Sequence, residues 1–289
     1  MAKLEQKRKY NIGGDFYVDE TCIDCDTCRW MTPEVFTRID EKSAVFHQPN
    51  NQKEKIRALQ ALLSCPTASI GTVNKPTEIK SVQESFPIPI TENVYHCGYH
   101  SVKSYGAASY LLVRPEGNVL IDSPRFTGPI VKQIEAKGGI RYLYLTHRDD
   151  VADHQKFQQH FNCDRILHQD DVTSDTEMVE IKLSGQEPIA IAPDLLIIPV
   201  PGHSKGHTVL LYNNRVLFTG DHLAWLPELE HLGAFREFCW YSWTELVNSM
   251  QKLAQYDFEW VLPGHGQRFH GTLPEVRQQM QKCLAMIDL

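Results

Sequence analysis

The sequence predicts an α+β chain of two domains, and three observations support this fold class. Near its start, cysteines stand at Cys-x-x-Cys-x-x-Cys spacing, and a further cysteine precedes a proline at residue 66. A polar stretch with several prolines follows at residues 74–93. Beyond it, short apolar runs alternate with helical patterns, which predicts layered sheets and helices rather than a doubly wound sheet. We therefore expect a small N-terminal domain at residues 1–80 and a larger one at residues 90–289.

Composition narrows the class of protein. The chain has 289 residues, 42% of them hydrophobic, with a net charge of −7 and a pI near 6.0. That content supports a proper core, and the acidic balance argues against a nucleic-acid-binding surface. No apolar run approaches the length that crosses a membrane. The charged start has no apolar signal region, so we expect a cytoplasmic protein whose clustered cysteines serve metal or redox chemistry.

The first motif is TCIDCDTCRW, residues 21–30. Cys22, Cys25 and Cys28, together with Cys65 before its proline, form the ligand set expected for a [4Fe–4S] cluster. A tight loop of three thiolates can hold three corners of a cube, and a second segment supplies the fourth. Zinc on the same four cysteines is the alternative, although zinc sites more often pair two Cys-x-x-Cys units.

Two local elements are predicted between these cysteines. The stretch VFTRIDEKSAVFHQP predicts a strand hairpin that turns at residues 40–42. The stretch QKEKIRALQALLSC predicts an amphipathic helix with Ile56, Leu59, Leu62 and Leu63 on one face.

This segment resembles single-cluster bacterial-type ferredoxins over about residues 14–75. Two-cluster relatives carry a fourth cysteine shortly after the third, also before a proline. Thr32 stands at that position here, before Pro33, so the resemblance implies one cluster and not two.

In the second domain, histidines and aspartates follow several apolar runs. Glycines beside them allow sharp turns that let such side chains point inward. Taken singly each residue could be a turn or cap residue, but together they predict a metal centre at one rim of the strands. They are His147, Asp149, Asp150, Asp153, His154, His203, His207, Asp221 and His265.

The order of these residues resembles the metallo-β-lactamase superfamily over residues 90–270. The resemblance implies an αββα sandwich that binds one or two divalent metals, zinc, iron or manganese, at one edge. It makes His147 the first histidine of the family's His-x-His-x-Asp-His signature. It makes His203 and His265 further ligands, Asp221 the carboxylate that bridges two metals, and Asp122 a supporting residue.

The signature itself departs from the family pattern. Asp149 stands where the family has its second histidine, and the Asp-His pair appears two residues late as Asp153–His154. In the preferred alignment the loop has an insertion, and Asp149, Asp153 and His154 are all ligands. In the other alignment Asp149 or Asp150 fills a ligand place and His154 lies on the solvent face of a helix. A carboxylate in the second place favours iron or manganese.

The resemblance implies a hydrolase in which metal-bound hydroxide attacks an ester, thioester or related bond of a small-molecule substrate. Asp153 is then the catalytic residue that orients the water and moves its proton. Two alternatives stay open because hydrolysis moves no electrons. One is a diiron oxidoreductase fed by the cluster, with an electron donor or acceptor protein as partner. The other is a redox or sensor protein with a degraded metal site. We expect the aromatic stretch at residues 225–243 to cover the pocket.

Overall fold

The computed structural model describes residues 2–287, and its contacts divide them into two compact units. Unit 1 runs up to Arg141 and also contains Ala152–Cys163. Unit 2 contains Tyr142–Val151 and the chain from Asp164 onward. This division does not coincide with the domain boundary predicted between residues 80 and 90, which stays a prediction.

The described residues of unit 1, from residue 2 onward, form eight strands and five α-helices. Its strands are β1 (Phe16–Val18), β2 (Phe36–Ile39), β3 (Lys42–Val45), β4 (Ile70–Thr72), β5 (Ile88–Thr91), β6 (Val94–His96), β7 (Tyr110–Leu112) and β8 (Val119–Ile121). Its helices are α1 (Thr27–Met31), α2 (Gln52–Ser64), α3 (Ile79–Glu84), α4 (Gly128–Ala136) and α5 (His154–Phe161).

The predicted hairpin and helix are both present in the cysteine-rich segment. Strands β2 and β3 pair antiparallel, and the turn residues Asp40 and Glu41 have positive φ. Helix α2 begins after Asn51, whose side chain accepts a hydrogen bond from the backbone N–H of Glu54. Of the predicted apolar face only Leu59 is fully buried, and small alanines of α2 occupy the rest of the buried surface. Ile56, Leu62 and Leu63 are partly buried, so none of the predicted face is exposed to solvent.

Two further antiparallel arrangements order the other strands of unit 1. Strand β1 pairs with β4, which brings the start of the cysteine loop beside the segment that follows Cys65. Strands β5 to β8 form a meander in which each strand pairs with the next. The segment from His96 to Tyr110, between β6 and β7, belongs to this meander.

The part of unit 2 that the structure describes, which ends at residue 287, forms eleven strands and two α-helices. Its strands are β9 (Tyr142–Tyr144), β10 (Asp164–His168), β11 (Ile181–Leu183), β12 (Ile189–Ala192), β13 (Leu195–Pro199), β14 (Thr208–Tyr212), β15 (Val216–Gly220), β16 (Ala224–Leu226), β17 (His231–Gly233), β18 (Trp260–Pro263) and β19 (Phe269–His270). Its helices are α6 (Trp243–Leu253) and α7 (Leu273–Ile287).

The six-stranded sheet of unit 2 has the order β12-β13-β14-β15-β18-β19. Strands β15 and β18 are parallel, and Gly220 pairs with Pro263 at their ends. This register brings Asp221 and His265, the residues that follow the two strands, to the same edge. Helices α6 and α7 supply apolar residues such as Leu246 and Met280 to the core beneath the sheet. Strands β9, β10 and β11 pair parallel to one another.

Within residues 2–287, none of the helices is both long and apolar enough to cross a membrane.

Candidate functional site

The four cysteines expected to hold a cluster lie together. Cys22, Cys25, Cys28 and Cys65 line one small cavity with apolar neighbours that include Ile23, and all four are free thiols. Four sulfur donors around one apolar cavity, with no disulfide between them, fit the donor chemistry of a cubane iron–sulfur cluster.

Two residues of the cysteine loop have a left-handed backbone conformation. Asp24 and Asp26 have φ of 61° and 64°, which turns the chain so that successive cysteines face one cavity. The Arg29 guanidinium donates to Asp24 Oδ1 and to Asp26 Oδ1, each at 2.6 Å. Since aspartate tolerates this backbone conformation better than most residues, the sequence IDCDTC can form the loop without glycine.

Burial makes the thiols of Cys25 and Cys28 poor acids until a metal binds. It raises the pKa of Cys25 to about 11 and that of Cys28 well above its usual value. A hydrogen bond with Thr27 opposes the rise in the pKa of Cys25, and one with Ser43 opposes the rise in the pKa of Cys28. Ionised thiolates are what iron binds, so cluster binding has to drive the loss of these protons.

The segment between β6 and β7 covers Cys25 closely. Gly106 has φ of +91°, and a Cβ placed on it would lie 2.8 Å from Cys25 Cβ and 3.0 Å from Cys25 Sγ. Next to it, the Tyr105 hydroxyl donates to the carbonyl of Ile23 in the cysteine loop. Glycine is therefore needed at residue 106 both for its backbone conformation and for the space it leaves.

The second candidate site lies in unit 2, where two histidines approach two aspartates closely. Nε2 of His147 is 3.8 Å from Asp149 Oδ2 and 3.7 Å from Asp221 Oδ2. Nε2 of His203 is 3.4 Å and 3.8 Å from the same two oxygens. A tetrahedral metal with bonds of about 2.0–2.2 Å spaces its ligands by about 3.3–3.6 Å. Each imidazole nitrogen therefore stands close to the expected ligand spacing from both carboxylate oxygens, and His147, Asp149 and His203 form one group of ligand atoms within 4.8 Å of one another.

The two imidazoles in this group are prepared as ligands. Nε2 of both His147 and His203 is buried and makes no hydrogen bond with any described residue. Thr146 Oγ1 lies 3.0 Å from Nδ1 of His147, so it can accept the Nδ1 proton and leave Nε2 as the metal-binding nitrogen. Burial lowers the pKa of His147 to about 4, which keeps the ring neutral near pH 7.

Asp221 is held ionised at the centre of the site. Burial alone would raise its pKa, but the neighbouring rings of His265, His147 and His203 bring it well below the usual value. Nδ1 of His265 lies 2.8 Å and 2.9 Å from the two carboxylate oxygens of Asp221. Nδ1 of His265 is thus within hydrogen-bond distance of Asp221, and Nε2 of His265 is the nitrogen that can bind metal.

Asp150 completes a second group. It shares with His147 and Asp221 a set of ligand atoms that lie within 4.8 Å of one another. Asp150 is buried, whereas Asp149 is about half exposed. The His203 ring is the main cause that lowers the pKa of Asp149. Gly264 makes room for this group, because a Cβ there would stand 2.6 Å from Asp150 Oδ2.

Asp153 and His154 are placed differently from the preferred sequence alignment. Neither belongs to the two groups of ligand atoms found among residues 2–287. Asp153 Oδ2 accepts the backbone N–H of Phe126, and its Oδ1 pairs with Lys103 at 2.9 Å and Lys156 at 3.2 Å. These contacts all lie within unit 1 and occupy both carboxylate oxygens. The geometry supports the alternative alignment with Asp149 and Asp150, except that His154 is buried rather than solvent-facing.

Asp153→Asn is expected to leave the metal content of the unit 2 centre unchanged. Asparagine keeps an acceptor for the Phe126 N–H and loses only two ion pairs with exposed lysines, worth about 1 kcal/mol or less each. Asp149→Asn is the matched comparison, and we expect it to weaken metal binding on the order of tenfold or more because it removes a ligand charge. Metal analysis after dialysis measures both, and metal loss in Asp153→Asn alone would restore the first alignment.

Asp171 is a positioning residue that sequence reasoning missed. It is fully buried and accepts hydrogen bonds from the backbone N–H groups of Arg148 and Gly206 and from the hydroxyl of Ser204. One carboxylate thus ties the loop of His147 to the loop of His203. No motif marks this aspartate in the sequence, and only the fold reveals its partners.

Two further buried histidines flank the site. His207 stacks on His147 with ring centres 4.8 Å apart, and its Nε2 accepts the backbone N–H of Asp221. Burial lowers its pKa well below the usual value. His222 follows Asp221, and burial lowers its pKa to about 3. Both rings are therefore neutral near pH 7 and add no positive charge beside a bound cation.

The remaining predicted features lie as follows. Asp122 is buried at the end of β8 in unit 1, and its supporting role stays a prediction. In the aromatic stretch at residues 225–243, Trp240 is 66% exposed and its ring centre lies 6.3 Å from that of His203. The backbone N–H groups of Trp240 and Tyr241 both donate to the carbonyl of His203. This stretch therefore flanks the candidate metal centre with exposed aromatic rings.

Comparison with known proteins gives a family match for the cysteine-rich part of the chain. Residues 18–72 match the family model of the 4Fe-4S single cluster domain of ferredoxin I. That range contains all four cysteines of the cavity, so this part of the chain is a ferredoxin-type domain. No curated protein matches the chain in sequence.

Solved structures match the larger part of the chain. VMB-1 is 21% identical, with a TM-score of 0.54, over 69% of this chain and 94% of its own. A metallo-beta-lactamase family protein from Thermus thermophilus is 16% identical, with a TM-score of 0.51, over 68% and 80%. ETHE1 from Myxococcus xanthus is 16% identical, with a TM-score of 0.50, over 66% and 84%.

These similarities establish the fold. The chain combines a ferredoxin-type domain at residues 18–72 with the metallo-β-lactamase fold over most of its length, as the sequence analysis predicted. Sequence identities this low carry no substrate or reaction from those proteins to this one.

Proposed function

We propose that the chain is a metal-dependent hydrolase with a [4Fe–4S] cluster in its ferredoxin-type domain. The observation that carries the proposal is a set of close approaches in unit 2: Nε2 of His147 and Nε2 of His203 each stand 3.4–3.8 Å from a carboxylate oxygen of Asp149 and one of Asp221. In this proposal they hold one metal. Asp150 and Asp221, with His265 beside them, would hold a second.

A metal centre of this kind, when bound, supplies an activated water and a positive charge that stabilises the developing oxyanion. The chain's own residues prepare the place for it. Asp221 stays ionised because imidazoles surround it, and the neutral rings of His147 and His207 avoid charge repulsion. The half-exposed Asp149 stands at the open side, where its free oxygen can accept a proton from an attacking water. In this proposal Asp149 takes over the role first assigned to Asp153.

The substrate in this proposal is a small molecule with an apolar or aromatic portion. The exposed rings of Phe238, Trp240 and Tyr241 lie in the stretch that flanks His203. Planar apolar side chains left exposed beside a polar centre are typical of a binding rim. An ester, thioester or related bond would then stand over the metals with its organic group against these rings.

A second candidate, a diiron oxidoreductase, is favoured by one specific observation. Three carboxylates, those of Asp149, Asp150 and Asp221, accompany His147 and His203 in the two ligand groups. Oxygen-rich sites suit iron and manganese better than all-histidine sites do. In this alternative a separate electron-donor protein reduces the cluster, and electrons pass on to the second centre.

The two functions are separated by assaying the full-length chain, purified without oxygen and loaded with zinc, manganese or iron. A hydrolase cleaves a generic thioester, a lactam or a phosphodiester at the same rate whether the cluster is reduced or oxidised. Chelation, or the change Asp149→Ala, should lower that rate on the order of a hundredfold or more. Consumption of reductant in the presence of O₂ or NO, without cleavage of any of these substrates, would instead establish the oxidoreductase.

A further inference from the structure

Two buried histidines of unit 1 connect to the cysteine cavity through a chain of hydrogen bonds. Nε2 of His96 lies 2.8 Å from Nε2 of His100. On the other side of the His100 ring, Nδ1 lies 3.1 Å from the hydroxyl oxygen of Thr27. That hydroxyl lies 3.4 Å from Sγ of Cys25. The chain therefore runs from His96 to a proposed cluster ligand.

One carbonyl group determines which atom donates in each hydrogen bond of this series. Nδ1 of His100 lies 2.6 Å from the carbonyl oxygen of Gly106. A carbonyl can only accept, so Nδ1 of His100 carries a proton. In a neutral His100 ring, Nε2 is then an acceptor, and the proton between the two rings belongs to Nε2 of His96. Every donor in the chain thus points toward the cavity.

The hydroxyl of Thr27 is the last donor. The single Nδ1–H of His100 is shared between the carbonyl of Gly106 at 2.6 Å and Thr27 Oγ1 at 3.1 Å. Thr27 Oγ1 thus accepts the longer branch of this bond, and its own hydrogen is directed to another acceptor. Its two acceptors are the carbonyl of Gly106 at 3.3 Å and Sγ of Cys25 at 3.4 Å. A cluster-bound Cys25 is a thiolate that can only accept, and an ionised acceptor makes the stronger hydrogen bond.

The hydrogen-bonded series from His96 to Cys25 is shielded from water. His96, His100 and Thr27 are each at most 1% exposed. The Trp30 ring covers both imidazoles, with ring centres 5.2 Å and 5.9 Å away. In a low-dielectric interior such bonds polarise one another, so a change at His96 is felt at Cys25.

We propose that His96 and His100 are positioning residues for the iron–sulfur cluster, which act by holding the Thr27 hydroxyl as a donor to Cys25. Reduction adds one negative charge to the cluster, and a donor aimed at a ligand sulfur stabilises that charge. This series of hydrogen bonds therefore raises the reduction potential of the cluster. This inference rests on the cluster being present, as proposed above, and it is independent of the reaction at the second centre.

The other cysteines supply an internal comparison. At Cys65 the hydroxyl of Thr67 lies 3.7 Å from the sulfur, and it hydrogen-bonds to Ser69 rather than to a histidine. Thr67→Val therefore removes a hydroxyl near a ligand sulfur without touching the histidine chain. It is the matched control for Thr27→Val.

The test is a redox titration of the full-length chain, followed by electron paramagnetic resonance of the reduced cluster. We expect Thr27→Val to shift the equilibrium toward the oxidised form about tenfold, which is about 59 mV for one electron. His96→Leu should shift it in the same direction by a smaller factor, and His96→Gln, which keeps an N–H donor, should restore it. Combining Thr27→Val with His96→Leu should add nothing to Thr27→Val, because the histidine acts through the hydroxyl.

Contrary outcomes are distinct. Equal shifts in Thr27→Val and Thr67→Val, or a wild-type potential in His96→Leu, would overturn the inference while leaving the cluster in place. If Thr27→Val fails to hold iron, Thr27→Ser and the two His96 variants decide the question, since Thr27→Ser keeps the hydroxyl and should behave as wild type. A wild-type chain without a reducible iron–sulfur signal would overturn the proposed cluster itself.

Discussion

His203→Ala is expected to lower the affinity of the unit 2 centre for divalent metal on the order of a hundredfold or more. Nε2 of His203 is buried, makes no hydrogen bond with any described residue and stands 3.4 Å from Asp149 Oδ2. Removing a direct ligand should cost at least as much as removing a supporting residue, which costs about 10–100-fold. The measurement is metal bound per chain after equilibrium dialysis against zinc or manganese.

His270→Ala is the control for this change. His270 lies on β19 of the same unit, is exposed and stacks on Trp260, so its loss should leave metal content unchanged. The count of acid-labile sulfide should stay the same in both variants, because no cysteine is altered. Full metal retention in His203→Ala would contradict the proposed ligand set.

Cys65→Ala is expected to remove most of the visible absorbance of the protein. Cys65 stands after α2 and lines the same cavity as the three cysteines of the loop. A cubane cluster with three cysteine ligands has one open corner, and it loses iron more readily. The absorbance per chain after purification without oxygen is the measurement.

Cys163→Ala provides the comparison for Cys65→Ala. Cys163 is buried in the same unit but does not line the cavity, so its loss should leave the colour unchanged. Equal colour in Cys65→Ala and the wild type would refute the ligand set. An equal loss of colour in both variants would point to a general loss of folding instead, which far-ultraviolet circular dichroism would reveal.

Patterns that depend on short spacing were predictable from the sequence. The hairpin β2–β3, helix α2 and the shared cavity of the four cysteines follow from local chemistry: turn residues, apolar periodicity and thiol spacing. The ends of apolar runs likewise pointed to His147, His203 and Asp221, because strand ends of one sheet edge lie near one another.

Residues whose role depends on the path of an irregular loop were not predictable. Between His147 and α5 the sequence offers three aspartates, and the preferred alignment made Asp149 and Asp153 ligands and Asp153 the catalytic residue. In the structure the carboxylate of Asp153 contacts lysines and a backbone N–H. Asp149 and Asp150 instead lie with the other ligand atoms. Asp171 carries no motif, because its partners come from loops that are distant in sequence.

The central claim is that one chain holds an iron–sulfur cluster and a separate metal centre. Elemental analysis of protein purified without oxygen, with iron, zinc, manganese and acid-labile sulfide counted per chain, tests it most directly. We expect about four irons and about four sulfides, together with about one or two further metal ions that are lost in His203→Ala. A chain with iron and sulfide but no further metal, or with metal but no sulfide, would contradict the account.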